Sequence, residues 1–247
     1  MPSLVINNHE YNPKVILFDV DGTLVDDIHR YSSLGKARFK TCEELASKNA
    51  AKEWARLTGV NPSDWSIDVK GPISKAPRRD DLALAGGSLY LNGFSWNDAR
   101  ILAEKIYNMA DEWQSKNYNP KLFDGVDKKL REFNKAGFIL GVATNGVTAI
   151  TEELLIKLNL IELFRIVAGA DLVKRGKPDP DIILYACNKL GYNTSDCVYV
   201  GDQPTDVEAS NKAGVMLSLI LGDNVISTKY VAEYVISIND VIILNKS

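Results

Sequence analysis

No stretch of about 18 consecutive apolar residues occurs in this 247-residue chain, so the sequence predicts no membrane-spanning helix. Cysteine is scarce. Cys42, Cys187 and Cys197 are odd in number and far apart, which suits neither a zinc site nor a disulfide framework. Free thiols in a reducing cytoplasm are the expected state. The opening residues, Met1 to Asn12, are polar and lack the apolar centre of a secretory signal. The two histidines, His9 and His29, have no partner in sequence that would make a catalytic pair. No basic stripe is present. The net charge is -3 and the signs are mixed, so a nucleic-acid partner is not expected. Internal repeats and low-complexity tracts are also absent. What is there, 45% hydrophobic and 25% charged residues, is the composition of a soluble globular protein. The length permits one α/β domain, or a core carrying a smaller inserted domain.

Two textures alternate along the chain. Val15-Ile16-Leu17-Phe18 is a continuous apolar run, as in a strand covered on both faces. Similar runs lie at Phe138 to Ala143, Ile166 to Ala168, Cys197 to Val200 and Met216 to Leu221, with a weaker one at Tyr234 to Ile238. Helical patterns separate them at about Asp127 to Ala136, Thr148 to Leu158, Asp181 to Leu190 and Asp206 to Ala213. Gly137, Gly191 and Gly214 stand where a left-handed residue ends a helix. This alternation predicts a Rossmann-like, doubly wound parallel sheet. The middle of the chain reads as helical instead. One helix is expected from about Asp27 to Leu57, with breaks at Pro62 and at Gly71-Pro72. Another runs from Trp96 to Asn117, with Ser95 as N-cap, Asp98 at the capping-box position and Ile101, Leu102, Lys105, Ile106 and Met109 along one face. The expected organisation is a core of residues 1–24 and 119–247 with a mainly helical domain, residues 25–118, inserted after the first strand.

Four polar clusters follow strands or open the next helix. Asp19-Val20-Asp21-Gly22-Thr23 follows the first run and brings two carboxylates to the edge where open α/β sheets bind ligands. A calcium loop is excluded, because its sixth and twelfth positions would be Leu24 and Arg30 instead of Gly and Glu. Thr144-Asn145-Gly146 offers a hydroxyl, backbone amides and a following helix N-terminus to phosphate oxygens. Lys177 precedes Pro178, read as the start of a helix, and can reach a phosphate from there. Asp202 and Asp206 flank the last strand end. Each cluster alone reads as an ordinary polar turn. Together they bring carboxylates to one edge that repel unless a cation neutralises them, and all-oxygen ligands suit Mg²⁺.

In order and type these clusters resemble the motifs of the haloacid dehalogenase superfamily, in its phosphoglycolate phosphatase and β-phosphoglucomutase branch. The correspondence spans the core and is looser in the helical insertion. The resemblance implies that Asp19 is the nucleophile and that Asp21 protonates the leaving oxygen and then activates water. It implies that Thr144, Asn145 and Lys177 hold the phosphoryl oxygens. Mg²⁺ would rest on Asp19, Asp202 and the backbone carbonyl of Asp21, with Asp206 bound directly or through water. The expected function is a cytoplasmic, Mg²⁺-dependent phosphatase of a small phosphorylated metabolite. A phosphosugar mutase is the alternative, and a phospho-aspartate regulator a more distant one. Asp21 sets dehalogenation aside, and Gly201-Asp202 resembles the phosphatase form of the last motif more than the mutase form. The insertion would act as a substrate-reading cap, with Arg78 and Arg79 as its possible anion contacts beside Gly86-Gly87. Trp54, Trp65, Trp96 and Trp113 are expected to pack, not to bind substrate.

Overall fold

In the structure, a computed structural model that describes residues 2–76, 78–222 and 229–244, the chain forms two units. One comprises residues up to Asp26 and from Pro120 onward, the other Asp27–Asn119. The first unit holds strands β1 (Ser3–Ile6), β2 (His9–Tyr11), β3 (Val15–Phe18), β4 (Ile139–Ala143), β5 (Phe164–Ala168), β6 (Cys197–Gly201), β7 (Leu217–Leu221), β8 (Glu233–Val235) and β9 (Ile242–Leu244). Its helices are α6 (Val126–Ala136), α7 (Thr148–Lys157), α8 (Asp181–Leu190) and α9 (Pro204–Ala213).

The main sheet runs β5-β4-β3-β6-β7-β8, and every adjacent pair is parallel. The apolar run of β3 is buried at all its positions because both faces are covered. Ile16 and Phe18 pack with Leu130 and Phe133 of α6 and Leu155 of α7. Val15 and Leu17 face the other way, onto Ile182 and Ala186 of α8 and Ala209 of α9. This is a doubly wound, Rossmann-like α/β fold, and strand side chains alternating between two helical layers are what produce it. Register sets up the site. Phe18 pairs with both Val142 and Val200, so β3, β4 and β6 end level with one another. The chain order reverses between β3 and β6, the crevice where such sheets take ligands.

A second, antiparallel sheet, β2-β1-β9, was not expected from the polar start of the chain. Asn7 and Asn8 adopt left-handed φ of 48° and 66° and join β1 to β2. Asn-Asn between two short runs is the signal for this hairpin, because Asn tolerates the conformation such a tight turn needs. The late run expected at 234–238 divides into β8 and a 3-10 turn, Ile238–Asp240.

The second unit consists of α1 (Asp27–Leu45), α2 (Lys48–Thr58), α3 (Pro72–Lys75), α4 (Arg78–Leu91) and α5 (Trp96–Asn117). The single helix expected from Asp27 to Leu57 is two, since Ser47 caps α2 by accepting the Ala50 N–H at 3.1 Å. Helix α4 was not among the helices expected from sequence, and Gly86 and Gly87 lie inside it. A Cβ at Gly86 would sit 3.5 Å from the Trp96 ring, an ordinary packing distance, so the space there does not require glycine. The buried face of α5 is also shifted. Ala99, Ala103, Ile106, Tyr107 and Ala110 are covered, while Ile101 and Met109 are exposed. The core closes around Trp54, and Trp96 and Trp113 are about half exposed. Arg38 and Asp81 form a buried ion pair at 2.5 Å, and Tyr107 donates to Asp81 at 2.7 Å while accepting from Trp54. Among the described residues no helix is long and apolar enough to cross a membrane.

Candidate active site

After β3 the backbone turns sharply. The amides of Thr23, Leu24 and Val25 all return to the Val20 carbonyl. Gly22 adopts φ +79°, and a Cβ there would stand 2.4 Å from Asp202 Oδ2, so both conformation and space require glycine. The turn leaves Asp19 buried at the strand end, beside Lys177 and the Asp202–Asp206 segment.

Lys177 is the centre of the arrangement. Its Nζ lies 2.9 Å from Asp19 Oδ1 and donates to Asp206 Oδ1 at 2.6 Å and to the Tyr199 hydroxyl at 3.0 Å. Contrary to the expectation from sequence, the proline beside Lys177 does not start a helix; α8 begins at Asp181, with Pro180 as its N-cap. Lys177 is held instead by Asn145. The Asn145 side chain accepts the Lys177 N–H at 2.8 Å and donates to the Lys177 carbonyl at 3.0 Å. That amide is thereby committed to the main chain of Lys177. Thr144 is buried at the end of β4, and its Oγ1 accepts the Gly146 N–H at 3.2 Å. The N-terminus of α7, expected to face phosphate, already meets an acid: Asp171 accepts the Thr148 N–H at 2.7 Å.

Asp202 and Asp206 complete the cluster. Oxygens of Asp19, Asp202 and Asp206 all lie within 4.8 Å of one another; the Asp21 carboxylate is not one of the three. Asp206 is fully buried and accepts the amide protons of Asp202 (3.1 Å) and Gln203 (2.9 Å), closing the capping box of α9. Gly201 makes room for it, since a Cβ would meet its Cγ at 2.5 Å. Asp202 accepts from Thr23 Oγ1 at 3.0 Å on one oxygen and from the Gln203 amide on the other.

The electrostatics follow from burial. Desolvation raises Asp19, against the pull of Lys177. Burial alone would depress Lys177, but Asp19 and Asp206 outweigh it and hold the ammonium above its ordinary value. Burial pushes Asp202 up to about 7, against the Gln203 hydrogen bond, and repulsion from Asp206 and Asp19 adds to the rise. The buried Asp19 and Asp206 share the Lys177 ammonium, the half-buried Asp202 lies beside them, and the oxygen-only donor set of the three suits a hard divalent cation.

Arg78 and Arg79 open α4 in the other unit. Arg78 pairs with Asp111 at 2.5 Å and lies over the Tyr107 ring, while Arg79 pairs with its neighbour Asp80 and is almost fully exposed. Sequence reasoning left three contacting residues without a role: Tyr199, Thr23 and Gln203. Tyr199 had a legible sign, a hydroxyl in an otherwise apolar strand.

Residues 16–220 match the haloacid dehalogenase-like hydrolases, and the chain belongs to that family. It is 28% identical over 207 residues to the N-acetylmuramic acid 6-phosphate phosphatase of Pseudomonas aeruginosa, covering 84% of this chain and 81% of that one. It is 27% identical over 204 residues to the phosphoglycolate phosphatase of Xanthomonas campestris, covering 82% and 80% respectively. Among solved structures, a HAD phosphatase from Thermococcus onnurineus shares its fold, with a TM-score of 0.59 at 24% identity over 92% of this chain and 95% of that one. The chain is therefore an enzyme, a hydrolase whose relatives are phosphatases of small phosphorylated compounds.

Proposed function

We propose that the chain is a Mg²⁺-dependent phosphatase that hydrolyses a small phosphorylated metabolite through a phospho-aspartate on Asp19. The observation that carries this is Asp19 at the end of β3, 2.9 Å from Lys177 Nζ and grouped with Asp202 and Asp206 within 4.8 Å. A carboxylate beside a fixed ammonium, in a cluster suited to a divalent cation, is equipped to attack phosphorus and not merely to bind it.

In the first step an Asp19 oxygen bonds to phosphorus and the ester P–O bond breaks. Asp21 gives its proton to the departing alkoxide. In the second, Asp21 takes a proton from water, the hydroxide attacks the same phosphorus, and the P–O bond to Asp19 breaks. Thr144 and Lys177 hold the phosphoryl oxygens, with Asn145 fixing the Lys177 backbone. Asp19, Asp202 and the Asp21 carbonyl would hold Mg²⁺, beside Asp206. When bound, the cation neutralises the carboxylates and draws charge from the transferring oxygens. Uncatalysed monoester hydrolysis is slow enough that enzymes gain up to ~10²¹-fold, about 28 kcal/mol, which needs all these groups together. The helical unit, 27–119, is the substrate-reading cap in this proposal, with Arg78 and Arg79 as its candidate anion contacts.

The test is phosphate release from an aryl phosphate and from a panel that includes phosphoglycolate and N-acetylmuramic acid 6-phosphate, with Mg²⁺ and with EDTA. Activity should need the metal, and Asp19→Asn should lower it by about 10³-fold or more. A protein inactive across the panel, or an Asp19→Asn variant as active as its parent, refutes the proposal.

A further inference from the structure

The Lys177 ammonium has three protons, and three protein oxygens surround it. Asp19 Oδ1 lies at 2.9 Å, Asp206 Oδ1 at 2.6 Å and the Tyr199 hydroxyl at 3.0 Å. The Lys177 side chain is 3% exposed, so water is not needed as a further acceptor. In this arrangement Lys177 has no proton left for a phosphoryl oxygen. Contact with one requires that an existing partner be released.

The three partners differ in what release would cost. Asp206 is fully buried and fixed by the amides of Asp202 and Gln203, and stripping the ammonium from it would leave a buried charge short of compensation. Asp19 needs the ammonium for as long as it carries its own charge. Tyr199 is neutral, its contact is the longest, and a hydrogen bond to a neutral acceptor is the weaker kind. Tyr199 also has its own anchor. Its hydroxyl proton goes to the Ala143 carbonyl at 2.8 Å, closer than Asp206 Oδ1 at 3.2 Å. The hydroxyl thus remains bonded after Lys177 leaves, and its anchor is the residue just before Thr144.

We propose that Tyr199 is a positioning residue: it holds the third proton of Lys177 in the resting enzyme and yields it when a phosphoryl oxygen arrives. This rests on the phosphatase reading above. It has a consequence of definite sign. Tyr199→Phe keeps the ring but removes the resting acceptor, so one buried N–H stays unsatisfied until phosphate supplies an oxygen. Phosphate binding no longer has to displace a hydrogen bond and becomes more favourable. A side chain that only packs would give the opposite result or none.

The experiment measures competitive inhibition of aryl phosphate hydrolysis by inorganic phosphate in the Mg²⁺-loaded enzyme and in Tyr199→Phe. The inhibition constant should fall by about twofold to tenfold, the factor one net hydrogen bond represents. KM should fall with it. An inhibition constant that is unchanged or higher overturns the inference while leaving the phosphatase reading intact. An unaltered enzyme with no phosphatase activity overturns that reading, and the inference with it. Should Tyr199→Phe not fold, the unaltered enzyme labelled with [13Cζ]tyrosine decides: the Tyr199 signal should move during a phosphate titration with the same midpoint as inhibition, and a stationary signal overturns the exchange.

Discussion

Removing the Lys177 ammonium should destabilise the protein more at alkaline than at acid pH. Lys177→Met keeps the length of the stem and deletes the charge that Asp19 and Asp206 share at 2.9 and 2.6 Å. Breaking a buried ion pair from one side costs about 3–5 kcal/mol. For a chain of this size that is a fall in Tm of roughly 6–20 °C. The pH dependence follows from the direction of the Asp19 shift. Burial already raises Asp19 with Lys177 present, and without the ammonium the carboxyl rises further. A carboxylate whose folded pKa exceeds its unfolded value adds no penalty below the unfolded value. Its penalty grows as pH climbs towards the folded value. The deficit of Lys177→Met should therefore be largest near pH 8 and shrink towards pH 5, and Mg²⁺ should restore part of it at pH 8. Calorimetry of the full-length variant and its parent at pH 5 to 8, in EDTA and in Mg²⁺, measures this. A deficit of the same size at both ends of the range, or one under about 1 kcal/mol at pH 8, would refute the idea that Lys177 compensates buried charge.

Mg²⁺ should raise Tm more at pH 8 than at pH 6, because Asp202, pushed up to about 7 by burial, must lose its proton to take a cation; Asp202→Asn should abolish the difference. Gly22→Ala combines a left-handed φ of +79° with a Cβ 2.4 Å from Asp202 Oδ2, so it should cost about 1–3 kcal/mol in urea denaturation and weaken Mg²⁺ binding in a calorimetric titration. In the helical unit, Arg38→Leu leaves Asp81 buried without its 2.5 Å partner and should cost about 3–5 kcal/mol, while the double change Arg38→Leu with Asp81→Leu should cost clearly less; equal losses would count against the pair.

Much of the first unit was legible in sequence because its signals are local. Uninterrupted apolar runs mark strands covered on both faces, and glycines at 137, 191 and 214 mark helix ends, where their φ values are indeed positive. The polar clusters at the strand ends could be read the same way, since a strand of known direction brings its last residues to a known edge. The second unit was less legible. Helix α4 was not anticipated: two glycines weaken any local helical signal, and its packing against α2 and α5 is something no local pattern reveals. The apolar face of α5 was misplaced for the same reason: small residues such as Ala99 and Ala103 are buried by the helices around them, not by their own hydrophobicity.

What the sequence determined by itself was the fold class and the identity of the acids, the hydroxyl and the lysine, because these depend on residue type and on spacing along one strand or helix. Only the tertiary structure decided how those groups are shared out. Level strand ends bring Asp19, Lys177 and Asp202 together from three distant segments. Asn145 is taken up by the backbone of Lys177, and Tyr199 enters beside the ammonium. Such assignments depend on which acceptor lies nearest to which proton in three dimensions, and the order of residues along a chain does not contain that distance.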